Sequence, residues 1–299
     1  MRAARRRFDS SAVSELLLAV PTVLSSLLVV TVPGKALTPQ APWVFPVLWL
    51  LSGVVVLLPV VDVAAALAHR LRLPTPTERR VLLPLLGSVC DAASADSRRY
   101  RLWIQNSRDI NAMAVGGRVV GVSTAALALP PEQLEAVLAH ELGHHLAGHT
   151  RASLLRWWYE LPARALVLLV FALGWGVLAA GAALRTRLAM VVSLLLVVAL
   201  AVAAVAASPW LLLVPVVAPL LALTSRRAEL RADRVAAELG YGPLLLEVLQ
   251  RWRNEEHVAG LRARVLASHP SCTLRISKLC ETAPGPGSGG RASLRPTEA

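Results

Sequence analysis

The residues best able to do chemistry lie in one short run, His140-Glu141-Leu142-Gly143-His144. On a helix, positions four apart share a face, so His140 and His144 can reach a single ion. Glu141 sits beside that face, where it can touch a water on the ion rather than the ion itself. Zinc held by three protein groups keeps a fourth position for water and lowers that water's pKa to about 7. A neighbouring carboxylate then takes the proton as hydroxide attacks a peptide carbonyl. The chain has 7 histidines. At that abundance the pattern arises by chance roughly 0.01 times, so it reads as a signal.

Such an ion needs a third ligand. Ser225–Asp233 places Glu229 and Asp233 one helical turn apart. Glu229 can complete a His, His, Glu set for one Zn2+ per chain, and Asp233 can accept a ligand histidine's ring N–H and fix its tautomer. The other histidines are weaker candidates. His145 points away from the His140/His144 face, and His149 would lie about 180° from His140 on a continuous helix. His69 and His257 belong to no partner pattern. Each of these reads as a surface or packing residue.

Several elements must position these groups. Pro130-Pro131-Glu132-Gln133 opens a helix, with proline early and acid in the first turn, and Gly148 is its natural stop. Upstream, 77–95 is patterned as a helix and Tyr100–Gln105 alternates like a strand. Asn111–Val115 and Arg118–Val122 flank the two-residue hairpin signal Gly116-Gly117. Downstream, Ser225–Leu239 is patterned as helix, Gly240 breaks it, and Pro243–Arg253 resumes.

Composition sets these elements in a lipid context. Hydrophobic residues make up 55% of the 299, charged residues only 17%, and the mean hydropathy is +0.56. A water-soluble globule is not expected on that balance, and intrinsic disorder is excluded for most of the chain. Uncharged runs cover Leu16–Gly34, Ala36–Val61, Ala165–Leu184 and Leu188–Ser225. The first three are each about one bilayer crossing long. The fourth would reach about 57 Å as a helix, and its Pro209, Pro215 and Pro219 predict one span to about 208 and then a kinked continuation.

The net charge of +12 comes from arginines that bracket these runs instead of forming one basic face, so nucleic acid is not an expected partner. Because His140 and Glu229 must meet at one ion, an even number of crossings separates them. With the positive-inside rule setting orientation, the expectation is four crossings with both polar segments on the cytoplasmic side. Cys90, Cys272 and Cys280 form no disulfide framework and read as reduced thiols.

Taken together, these motifs resemble the HtpX and type-1 CAAX prenyl protease family of membrane zinc proteases. Collinear matches are Leu129-Pro130-Pro131-Glu132 leading into His140–His144, Glu229-x-x-x-Asp233, Asn111-Ala112-Met113-Ala114 with Gly116-Gly117, and His269-Pro270 with Arg275. The last departs slightly, reading His-Pro-Ser where His-Pro-Pro is commoner. The resemblance implies that Asn111, Ala112, Met113 and Ala114 form an edge strand that binds extended substrate. It also implies that His269 and Arg275 stabilise the oxyanion, with Glu141 as general base.

The expected fold is a mainly α membrane protein, with four transmembrane helices and a zincin-like α+β catalytic domain carrying a small β-sheet. Its expected parts are a basic cytoplasmic tail at 1–14, a transmembrane hairpin at 15–68, a first catalytic part at 69–164, a second hairpin at 165–224, a second catalytic part at 225–281 and a disordered tail at 282–299. The expected activity is zinc-dependent endopeptidase cleavage of membrane-associated or misfolded polypeptides, at the cytoplasmic face of a bacterial inner membrane. The competing expectation is a membrane sensor-transducer that uses a metalloprotease-like domain with little general proteolysis.

Overall fold

A computed structural model describes residues 10–255 and 270–282. His257, His269 and most of the two expected terminal tails therefore lie outside the described residues.

The chain begins with α1 (Ser10–Leu37), followed by α2 (Val44–Ser52), a short 3-10 segment (Gly53–Leu57) and α3 (Pro59–Ala68). Here the expected second span departs from a straight helix. Leu58 is extended, Pro59 restarts the helix, and the two halves meet at 81°. Proline cannot donate to the preceding turn, and the residue before it is pushed out of the α region, so an apolar run of sufficient length still breaks.

Among the described residues, three helices are long and apolar enough to cross a membrane: α1, α6 (His149–Ala183) and α7 (Arg187–Ala207). A fourth crossing requires the bent pair to be counted as one span. Leu17, Phe171, Trp175 and Leu188 on these helices are exposed, as groups facing hydrocarbon would be.

Between these helices lies a four-stranded sheet, β1 (Leu71–Arg72), β2 (Arg101–Gln105), β3 (Ala112–Val115) and β4 (Val119–Ser123), in the order β1-β2-β4-β3. β2 and β4 are parallel and the other pairs antiparallel, so the sheet is mixed. β3 is an outer strand, joined to β4 by the turn at Gly116, whose φ of 61° is one that a side chain would disfavour.

The two faces of the sheet bury different partners. Leu102, Ile104, Val120 and Val122 pack on α4 (Pro76–Ala92), α5 (Pro131–Leu146) and α9 (Gly242–Glu255) through Leu82, Leu86, Leu138, Leu142 and Leu249. Trp103, Val115 and Val119 pack on Ala66 of α3. Both faces are thus covered, which explains why β4 is buried at every position.

Helix α4 starts at a capping box, Thr75 with Glu78, and Arg72 of β1 clamps the Glu78 carboxylate at 2.7 and 2.8 Å. α5 starts at Pro131 and ends before Gly148, which is left-handed at φ 73°. α8 (Val214–Glu238) is longer than its expected start at Ser225, because the apolar continuation after α7 and the polar segment form one helix. α10 (Cys272–Thr282) packs on α9 and α8.

Candidate metal centre

Helix α5 contributes His140, Glu141 and His144, all buried, and α8 contributes Glu229 and Asp233. Close approach of the two helices depends on Gly143. A Cβ there would sit 3.0 Å from Ala232 Cα and 3.2 Å from its carbonyl oxygen, tighter than ordinary contact. With only hydrogen at that point, α8 lies against the histidine-bearing face of α5.

The consequence is a cluster of ligand atoms from His140, His144 and Glu229, all within 4.8 Å of one another. His140 Nε2 is 3.3 Å from Glu229 Oε2, and His144 Nε2 is 3.5 Å from Oε1. Zinc bonds of about 2.0–2.1 Å at a tetrahedral angle put ligand atoms roughly 3.4 Å apart, so the spacing fits zinc, as does the donor set of two imidazoles and a carboxylate.

Behind this cluster, His140 Nδ1 lies 2.9 Å from Asp233 Oδ1. Arg275 of α10 donates to both Asp233 oxygens, Nη2 to Oδ1 at 2.6 Å and Nε to Oδ2 at 2.8 Å, while its Nη1 is 3.6 Å from Glu229 Oε2. Burial and the Arg275 charge both work against a proton on His140, but Asp233 and Glu229 outweigh them and raise its pKa to about 10. Burial alone would raise Asp233; His140 and Arg275 bring it below the ordinary value.

A chain segment matching the model of peptidase family M48 covers residues 79–283. The chain belongs to that family. A crystal structure of S. mikatae Ste24p is also similar, at 16% identity and a TM-score of 0.47, over 85% of this chain and 61% of that one. The M48 chain thus spans about three fifths of that structure's length. None of the curated proteins compared matches it.

In this M48 chain the centre opens on a cleft of about 970 Å³ lined by Glu141, by 111–116 of the β3 edge and by the first turns of α6. Asn111 precedes β3 and is tied to Ser123 by its N–H at 2.9 Å, while Ala112, Met113 and Ala114 lie in the strand. Pro270 and Arg275 also line the cleft; His269 is outside the described residues.

His145 is half-buried and lies outside the cluster of His140, His144 and Glu229. Its Nε2 donates to the Val119 carbonyl at 2.9 Å, and burial lowers its pKa to about 4. Asp62, inside an apolar run, accepts from Gly117 N–H at 2.7 Å and so ties α3 to the β3–β4 turn. His149, expected on the far side of the helix, instead lines the cleft with its ring centre 5.9 Å from that of His144. The left-handed turn at Gly148 ends α5 and redirects the chain, so extrapolating a single helical period fails there. The signal that could have found Asp62 is an acid at or within an apolar segment, which lipid tolerates only where it has a partner.

Proposed function

We propose that this M48 chain is an integral membrane zinc endopeptidase. The observation that carries this reading is the convergence of His140, His144 and Glu229, from segments some ninety positions apart, at spacings that suit one ion. When bound there, zinc supplies Lewis acidity that polarises a scissile carbonyl and acidifies water.

The chain's own residues do the rest. Glu141 takes a proton from the attacking water and returns it to the leaving amine. Asp233 fixes the orientation of His140, and Arg275 fixes Asp233. Substrate lies extended along β3, whose outer position leaves backbone donors and acceptors for a peptide of almost any sequence. Charge developing on the carbonyl oxygen is met by His269 and by Nη1 of Arg275.

A cleft beside membrane-crossing helices suits membrane-associated or misfolded polypeptides. Four crossings, with the bent pair counted as one span, would place the site at the cytoplasmic face of a bacterial inner membrane. The test is Glu141→Gln, which should retain zinc while lowering cleavage of an unfolded test protein at least 100-fold. Undiminished cleavage would remove Glu141 as the base.

A further inference from the structure

Helix α1 carries Glu15, only 2% exposed, immediately before the uncharged run Leu16–Gly34. Its Oε1 accepts from Ser153 Oγ at 2.7 Å and Arg156 Nε at 2.8 Å. Its Oε2 lies 3.1 Å from His149 Nδ1, and each of those two buried atoms otherwise has no hydrogen-bond partner. A carboxylate placed so deep is costly to bury unless it is paired and used.

We propose that His149, with its tautomer set by Glu15, is a substrate-binding residue whose Nε2 accepts one backbone N–H of the bound peptide. This rests on the peptidase reading above and deepens it. Arg156 gives Glu15 a cationic partner besides the His149 ring and itself also pairs with Glu160. A neutral imidazole that carries its proton on Nδ1, facing the carboxylate, leaves the lone pair on Nε2. The ring lines the cleft with Thr150 and Ser153, next to the metal centre.

Substrate geometry calls for such an acceptor. A peptide added to the edge of β3 turns alternate N–H and C=O groups toward the strand and the others away from it. Those turned away lose water as the cleft fills and need partners of their own. The start of α6 lines the same cleft as β3, and His149 is the imidazole it offers there. Glu15 acts through His149 and is a positioning residue.

The test is an ester scan on the full-length, zinc-loaded Glu141→Gln protein, which binds without turning over. A fluorescent peptide that the parent enzyme cleaves is remade with one amide at a time changed to an ester, which removes that N–H. Binding by Glu141→Gln should weaken about fivefold to tenfold at each N–H that is held. Adding His149→Phe should abolish the penalty at one position and leave it elsewhere, with zinc content unchanged. His149→Gln, which keeps an acceptor, should restore part of that penalty, and Glu15→Leu should reduce it.

An ester profile unaltered by His149→Phe would overturn the inference while leaving the peptidase reading intact. So would a loss of the penalty at every position together with loss of zinc, which marks a structural role. If the parent enzyme cleaves no peptide, the underlying reading fails and the inference falls with it.

Discussion

At His140 the carboxylates of Asp233 and Glu229 overcome burial and the Arg275 charge, so the metal-free ring keeps its proton up to about pH 10. The unfolded value is near 6.5. A raised folded pKa means this contribution to metal-free stability is complete below about pH 6.5 and fades as pH rises through 10. Zinc takes only the deprotonated ring, so uptake at pH 8 should release about one proton from His140. Calorimetry in buffers of different ionisation enthalpy would read it, and no release would contradict the assigned pairing. Arg275→Lys cannot reproduce the two-pronged grip on Asp233 and should lower zinc affinity about 10–100-fold in a chelator competition. That His140 and His144 share a face was readable from sequence, because helical spacing decides it. The Glu15–His149 pair was not, since it depends on where α1 and α6 touch.

Helices α5 and α8 meet through Gly143, and that contact makes a testable claim about elements. Alanine usually stabilises a helix relative to glycine by about 1 kcal/mol. Here its methyl would press on Ala232, so Gly143→Ala should move α8 outward and weaken zinc binding at least tenfold, with a stability loss of about 1–3 kcal/mol in denaturant titrations. Enhanced stability with unchanged zinc affinity would refute the packing argument. Asp62→Ala leaves the Gly117 N–H without its acceptor, so the β3 edge should loosen and the KM of a cleaved peptide rise more than kcat falls. α5 was legible because Pro131, Glu132 and Gly148 mark its ends. The two residues of β1 and the parallel pairing of β2 with β4 were not, because strand neighbours far apart in sequence leave no local pattern.

Across the whole molecule, α6 and α7 run out from the cleft and back, reversing at Arg185, whose φ is 53°. Thr186 at that reversal and Cys280, on α10 beside α8 and α9, should therefore lie on opposite sides of a membrane. Cys280 is an exposed thiol. In sealed vesicles, an impermeant maleimide should label Cys280 and a Thr186→Cys variant from opposite sides; same-side labelling would exclude a hairpin through the bilayer. Apolar composition made the membrane setting legible, whereas the 81° bend after Leu58 depends on how Pro59 and the sheet compete for α3. The most direct check on the account is a zinc count on purified full-length protein beside a folded Glu229→Ala variant. The expected result is one zinc per chain in the parent and at least a 100-fold loss of affinity in the variant. A parent without stoichiometric zinc, or a variant that binds it equally well, would contradict the joint grip of α5 and α8 on one ion.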